Sequence, residues 1–164
     1  MNKFNTIKKL KSENNLLRNE NGRIMPLILK GRAGCGKSVL AKSLFSSEDS
    51  IITVNSPVTS ALDLVKHSSL MTVSIDLSAL YAENIGEQYG AVIFDEAQST
   101  NYEMHSVLLE LMQFGLIDGN TLGKNVMIIL LATPKPEETE TNSLPMAITS
   151  RAIIIDVEND LTEG

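Results

Sequence analysis

Residues 31–38 have the types and the spacing of a loop that binds phosphate groups. They read Gly-Arg-Ala-Gly-Cys-Gly-Lys-Ser. Glycines let the backbone wrap closely round phosphate oxygens, and the N–H groups of such a loop favour an anion. Lys37 would reach the β- and γ-phosphates of a nucleoside triphosphate, and Ser38 would offer its hydroxyl to Mg²⁺. The spacing therefore predicts a P-loop that binds ATP with Mg²⁺. The predicted nucleotide-binding residues are Gly31, Arg32, Ala33, Gly34, Cys35, Gly36, Lys37 and Ser38.

Two acidic residues close an apolar run in the middle of the chain. Residues 91–94 read Ala-Val-Ile-Phe and are followed by Asp95 and Glu96. In open α/β sheets, ligands bind at the carboxyl ends of the strands, so a buried strand over this run would deliver both acids to that edge. We expect Asp95 to hold the Mg²⁺ shell and Glu96 to polarise the attacking water as general base.

Two further residues stand next to apolar runs and could take part in the same reaction. Thr133 follows the run over 128–132, where it could orient water or touch the γ-phosphate, and the alternative is an ordinary threonine at a strand end. Arg151 precedes the last apolar run. Its guanidinium could stabilise the charge on transferring phosphate oxygens in a neighbouring subunit, and the alternative is a surface arginine.

The apolar pattern predicts the elements that would hold these residues. Short apolar runs predict buried strands over 26–29, 51–54, 91–94, 126–132 and 152–157. Amphipathic spacing predicts helices over 3–19, 38–45 and 102–113. Because strands alternate with helices, we expect an α/β chain with a three-layer P-loop NTPase fold, built on a mainly parallel central sheet with helices on both faces.

The stretch between residues 57 and 90 has the least regular pattern. It predicts a helix that begins near residue 59 or 60, a strand over 70–75 and a helical turn over 77–82. Further along, residues 118–120 read Asp-Gly-Asn and predict a turn, and the polar, proline-containing residues 134–145 predict a loop.

Composition narrows the possible partners and compartment. The chain has 164 residues, a net charge of −6 and a single cysteine. This size is typical of one domain, and no apolar run is long enough for a membrane span, so we expect a cytoplasmic protein without membrane contact. The excess of acidic residues argues against direct binding of duplex DNA by one chain. Nucleic-acid contact by a ring, in which each copy presents a few lysines, stays an open alternative. The basic residues near the start are interpreted as a solvated helix face; they are Lys3, Lys8, Lys9, Lys11 and Arg18.

Four segments, taken in chain order, resemble the AAA+ ATPases. GRAGCGKS is similar to their Walker A motif, AVIFDEAQ to Walker B and ILLATPKP to the sensor 1 strand. LPMAITSRAIIIDVE is similar to the family segment with a serine–arginine pair before the last strand. The run DEAQSTNYEMHSVLLELMQFGLIDG resembles the MoxR and dynein-related branch in particular. The resemblance covers about residues 20–158.

The resemblance implies a division of the chain and a role for one arginine. Residues 1–22 would form an N-terminal amphipathic helix, residues 23–158 the ATPase core, and residues 159–164 the place where the family's small helical lid begins. The chain is then expected to be either a fragment or a minimal protein that borrows a lid from a partner. Arg151 would reach the γ-phosphate of a neighbour in a ring, most often of six subunits. Pro134 stands where the family usually has the sensor 1 asparagine.

What the resemblance implies about function is Mg²⁺-dependent ATP hydrolysis that drives remodelling of a protein or nucleoprotein partner. Two alternatives stay open. One is the ATPase domain of a superfamily 3 or superfamily 1-like helicase, because the Asp-Glu-Ala-Gln run at 95–98 also occurs in superfamily 1. The other is a nucleotide-dependent binding or assembly module with little turnover. A small-molecule kinase is not favoured, since residues 134–150 contain no arginine for a mobile lid.

Overall fold

The computed structural model describes residues 2–54, 76–99, 102–134 and 144–163. The strands are β1 (Leu27–Lys30), β2 (Ser50–Val54), β3 (Gly90–Phe94), β4 (Leu116–Ile117), β5 (Asn120–Thr121), β6 (Val126–Ala132) and β7 (Ile153–Asp156). The helices are α1 (Lys3–Ser12), α2 (Lys37–Lys42), α3 (Ala82–Ile85), α4 (Tyr102–Phe114), α5 (Met146–Thr149) and α6 (Val157–Glu163). Two short 3₁₀ turns span Ser78–Leu80 and Ala97–Ser99.

Five strands form one parallel sheet in the order β2-β3-β6-β1-β7. Every residue of β3 and β6 is buried, which is what a continuous apolar run predicts for a strand covered on both faces. β6 lies between β1, which leads into the P-loop, and β3, which leads into the two acids. The sheet therefore brings the carboxyl ends of these three strands to one edge.

Helices cover both faces of this sheet. Four apolar residues of α4 pack on one face; they are Met104, Leu108, Leu111 and Met112. On the other face, the alternate side chains of the same strands pack against Phe4 and Ile7 of α1 and Ala41 of α2. Burying one such leucine or isoleucine contributes about 2 kcal/mol. The predicted three-layer α/β fold with a parallel central sheet is confirmed.

α1 ends earlier than its apolar pattern predicts. The prediction of a helix over 3–19 is wrong beyond α1, because Asn14 adopts a left-handed φ of 55° and the N–H of Asn15 bonds back to the last turn. Asparagine tolerates this conformation better than most residues and often ends a helix. Leu16 still packs against the sheet from outside the helix, so its burial extends the apolar pattern without extending α1.

The amino end of α1 is bound by a residue of α6. The carboxylate of Asp160 is buried and accepts hydrogen bonds from the N–H groups of Lys3 at 2.8 Å and Phe4 at 3.1 Å. N–H groups in the first turn of a helix have no acceptor within the helix, and negative charge there is favourable. Asp160 thus fastens the first helix to the last one. The expected domain boundaries, at residue 22 after the N-terminal helix and at residue 158 after the core, stay predictions.

A buried arginine joins the segment before β1 to the segment before β6. Arg23 is only 6% exposed and donates from Nη1 to the Leu122 carbonyl at 3.1 Å and from Nη2 to the Gly123 carbonyl at 2.8 Å. Its guanidinium lies against Gly115, where an added Cβ would overlap it. Burial lowers the pKa of Arg23 below its usual value, and nearby Arg18 lowers it further. The contact makes glycine necessary after α4.

The remaining predicted elements differ mostly at their ends. The helix expected over 38–45 is the shorter α2, and the one expected over 102–113 is α4. The helical turn expected over 77–82 appears as the first 3₁₀ turn followed by α3. The helix predicted to begin near residue 59 and the strand predicted over 70–75 lie outside the described residues.

The turn between β4 and β5 has the predicted position. Asp118 and Gly119 have φ of 48° and 79°, the pair of positive values that a two-residue hairpin of type I′ needs. Of the loop predicted over 134–145, residues 135–143 lie outside the described part of the chain. Among the described helices, none has the length and apolar character needed to cross a bilayer.

Candidate functional site

The loop over residues 31–38 curves tightly at its glycines. It leaves the end of β1, and the N–H of Gly31 bonds the carbonyl of Ala132 at the end of β6, 3.1 Å away. Gly34 and Gly36 have φ of 82° and 88°, in the region that side-chain-bearing residues rarely adopt. A Cβ on Gly31 would come within 2.6 Å of the sulfur of Cys35. The positive φ values are thus what require glycine at positions 34 and 36 of this loop.

Lys37 points back into this loop. Its side chain is buried, and its Nζ donates to the carbonyls of Gly31 at 2.6 Å and Arg32 at 3.0 Å. Among the residues that the structure describes, no carboxylate forms an ion pair with it. Buried charges are normally paired with an opposite charge. A buried ammonium that contacts two carbonyls and the sulfur of Cys35 but no described carboxylate, inside a loop of glycines, fits a phosphate group as its partner.

The two acids follow β3 on the same edge of the sheet. The N–H of Asp95 bonds the carbonyl of Val54, so β2 fixes where the acids begin. Oδ1 of Asp95 accepts from the N–H of Glu96 at 2.9 Å. Glu96 has a φ of 53°, which is uncommon for a residue with a side chain. Backbone conformations of this kind are found often at functional sites.

One cleft brings most of the predicted site residues together. Its empty volume is about 600 Å³, part of it open to solvent, and it is lined by Ala33, Gly34, Gly36, Lys37, Ser38, Val39, Asp95, Glu96, Leu131 and Thr133. Ser38, which carries a hydroxyl, and Asp95, which carries a carboxylate, therefore line the same space. Oxygen ligands of this kind suit Mg²⁺, which is usually held by one or two carboxylates together with water and substrate phosphates. In the described ranges, no group of three or more His, Cys, Asp or Glu side chains could hold a metal ion.

Gln98 is a polar residue of the site that the sequence interpretation did not single out. Its Nε2 donates to Oε2 of Glu96 at 2.6 Å, and its Oε1 accepts from the N–H of Thr133 at 3.1 Å. The contact to Thr133 is therefore made by its backbone. The signal in the sequence that could have indicated Gln98 is its position: it is a polar residue in the turn that follows the acids, directly after Ala97, which is buried.

Arg151 lies away from this cleft. It precedes β7 at the amino edge of the sheet, while the P-loop follows β1 at the carboxyl edge, and these neighbouring parallel strands are four residues long. A strand of that length spans roughly 13 Å. The guanidinium of Arg151 is exposed and its Nη1 donates to the carbonyl of Ala147 at 2.7 Å. The structure does not bring Arg151 to the P-loop of its own chain.

Arg32 and Cys35 occupy the outer and inner sides of the loop. Arg32 is exposed; its N–H bonds Oε1 of Glu158 at 3.0 Å and its Nε lies 3.4 Å from Oε2 of the same carboxylate. An exposed ion pair of this kind contributes little to stability. The sulfur of Cys35 is half-buried and lies 3.9 Å from Nζ of Lys37. Both residues therefore shape the loop from positions outside the lining of the cleft.

Comparison with known proteins finds the same fold in solved structures. No protein-family model and no curated protein matches the sequence. A mutant of RuvB from Thermotoga maritima has 16% identity and a TM-score of 0.57, over 99% of this chain and 50% of that chain. A second mutant of the same protein has 15% identity and a TM-score of 0.58, over 98% and 46%. NtrX from Brucella abortus, in complex with ATP, has 18% identity and a TM-score of 0.58, over 93% and 35%.

The chain spans half or less of the length of each of these structures. Identities this low establish the fold alone. On that evidence, the chain shares its α/β fold, built on a mainly parallel central sheet, with the matched parts of the RuvB and NtrX structures.

Proposed function

We propose that this chain is a Mg²⁺-dependent ATP-binding and ATP-hydrolysing domain of the AAA+ type. The observation that carries the proposal is the single cleft that joins the buried ammonium of Lys37, the hydroxyl of Ser38 and the two acids after β3. Lys37 forms no ion pair with any described carboxylate. A nucleoside triphosphate would supply the negative charge that a buried ammonium needs as its partner. The glycine loop and the amino end of α2 favour the same anion.

Five residues that line the cleft have a chemical role in this proposal. Lys37 would leave the carbonyls of its own loop and bind the β- and γ-phosphates. Ser38 and Asp95 would hold Mg²⁺, which when bound neutralises charge on the phosphate oxygens. Glu96 would accept the proton of the attacking water through its carboxylate. Thr133 lines the same cleft, and its hydroxyl is proposed to orient that water.

The proposal extends to a ring of subunits. Arg151 is exposed and lies at the edge of the sheet opposite the P-loop of its own chain. The γ-phosphate that it would contact is therefore the one bound by a neighbouring copy. Head-to-tail contacts of this kind can close into rings, and we propose a hexamer or assembly with a lid-bearing partner. The partner that is remodelled would be a protein or nucleoprotein in the cytoplasm. The finer resemblance to the MoxR and dynein-related branch rests on residues 95–119 alone, since the compared structures are RuvB and NtrX.

The test compares ATP binding with ATP hydrolysis in the parent chain and three variants, one of which is a control. Lys37→Ala should abolish binding in titration calorimetry, while Lys42→Ala, an exposed lysine on the same helix, should bind as the parent does. Glu96→Gln should keep binding and lose phosphate release, because an amide cannot accept the proton. Unchanged ATP affinity in Lys37→Ala would overturn the proposal. Binding without turnover in the parent would favour the binding or assembly module instead, and stimulation by single-stranded DNA would favour the helicase.

A further inference from the structure

The side-chain amide of Gln98 joins two strands' ends across the site. Glu96 follows β3 and Thr133 follows β6, and Gln98 bonds the carboxylate of the first and the backbone N–H of the second. The Nε2–Oε2 distance to Glu96 is 2.6 Å, slightly shorter than the roughly 2.7–3.2 Å that is usual for N–H···O hydrogen bonds. The amide is half-buried in the second 3₁₀ turn, next to the buried Ala97.

The chemistry of the two neighbours fixes which way this amide faces. The N–H of Thr133 can only donate, so the oxygen of Gln98 must face it, and the carboxylate of Glu96 can only accept, so the NH₂ group must face that. A carboxylate at position 98 would place like charges together, and an aliphatic side chain would make neither bond. These two contacts therefore need a side chain that both donates and accepts a hydrogen bond, as the glutamine amide does.

Glu96 is held at both its backbone and its side chain. Its N–H bonds Oδ1 of Asp95 in the left-handed conformation, and Oε2 bonds Gln98. Within the described residues, Oε1 has no hydrogen-bond partner, and Glu96 lines the cleft with Lys37. One carboxylate oxygen is thus used for positioning, and the other remains for a proton.

We propose that Gln98 is a positioning residue for ATP hydrolysis: it fixes the direction of Glu96 and ties that direction to the end of β6 at Thr133. The inference rests on the proposed function, because Glu96 acts as a base only if ATP is hydrolysed here. β6 pairs with both β1 and β3, so the end of β6 is itself held relative to the P-loop and the acids. Through Gln98, the proposed base Glu96 is connected to that framework of strands.

The first experiment separates chemistry from binding. In Gln98→Leu, kcat should fall about tenfold or more, part of the 10²–10⁴-fold that a placed base contributes, with ATP affinity within about twofold of the parent. Gln98→Glu should lose at least as much, because it faces Glu96 with a second carboxylate. Gln88→Leu is the matched control; Gln88 is exposed, precedes β3 at the amino edge of the sheet, and bonds the carbonyl of Glu48. It should keep the parent kcat and affinity.

A double-variant comparison identifies the residue through which Gln98 acts. In the Glu96→Gln background, Gln98→Leu should cause no further fall in kcat. A purely structural role would lower ATP affinity or melting temperature in both backgrounds alike. The inference is overturned if Gln98→Leu turns over as fast as Gln88→Leu, if the loss lies entirely in ATP affinity, or if it persists undiminished in the Glu96→Gln background.

A measurement without turnover tests the link itself. The Thr133 amide should exchange its hydrogen faster in Gln98→Leu than in the parent, and Glu96→Ala should shift the side-chain NH₂ resonances of Gln98 in nitrogen–proton NMR spectra. An unchanged Thr133 amide in Gln98→Leu overturns the inference even in an active enzyme. A parent chain that binds no ATP, with the Thr133 and Gln98 signals responding as expected, would instead mark failure of the proposed function.

Discussion

Replacing Gly115 by alanine should cost far more stability than the same change at a matched open glycine. Gly115 has a φ of 66°, and a left-handed conformation costs an L-residue about 1–2 kcal/mol. The new Cβ would also displace the guanidinium of Arg23 and break its bonds to the Leu122 and Gly123 carbonyls. Hydrogen bonds to charged groups contribute about 1.5–3 kcal/mol each. We expect the lower end of the sum, about 4 kcal/mol, since the displaced guanidinium can reach water.

Urea unfolding of four variants measures this cost. Gly119→Ala is the matched control, since Gly119 has a φ of 79° and no atom within 4 Å of an added Cβ, so it should lose only the backbone part of about 1–2 kcal/mol. In an Arg23→Leu background, Gly115→Ala should likewise cost only the backbone part. In a thermal scan, a loss of 4 kcal/mol corresponds to a melting temperature lower by about 8–16 °C at this chain length. Equal losses at Gly115 and Gly119 would refute the argument from Arg23.

Three further predictions concern ATP binding and hydrolysis. Asp95→Ala should weaken ATP binding in the presence of Mg²⁺ and have little effect in EDTA, as measured by calorimetry in both buffers; an equal loss in both would show that Asp95 does not act through the metal. The isolated chain should turn over more slowly than about 1 s⁻¹ in a phosphate-release assay, because the cleft is open to water, and a faster rate would contradict this. Mixing Arg151→Ala with Lys37→Ala chains should restore activity that neither has alone, at concentrations where light scattering shows mixed oligomers. No recovery there, or full activity of Arg151→Ala by itself, would return Arg151 to an ordinary surface role.

The central strands and the tight glycine loop over residues 31–38 could be predicted because their causes are local. β6 is an uninterrupted apolar run, and only a strand covered on both faces buries every residue in such a run. Two of the loop's glycines, Gly34 and Gly36, are required by positive φ angles, and the spacing of glycines in the sequence indicates such a tight loop. The end of α1 was missed because the burial of Leu16 comes from tertiary packing, and an apolar periodicity does not distinguish that from a longer helix.

The role of Gln98 could not be derived from the sequence for a similar reason. Its two partners are two residues before it and in a separate segment after β6, and their proximity depends on the pairing of β3 with β6. The residue type was visible, but the register that places Thr133 opposite the turn was not. For Arg151, in contrast, the sequence is sufficient. The pattern correctly places it before the last strand, and its distance from the P-loop then follows because β7 runs parallel to β1.

The bond between Asp160 and the first turn of α1 means that the two ends of the described chain lie side by side. Neighbouring ends permit circular permutation, and exposed turn tips are the best places for new ends. A short flexible linker from α6 to α1, with the chain opened between Asp118 and Gly119, would leave all five parallel strands intact. In that permuted protein Thr133 would precede the P-loop, and Glu96 would lie near the last residues. The cleft would keep its geometry, because its parts are placed by neighbouring strands in space and not by their order along the chain.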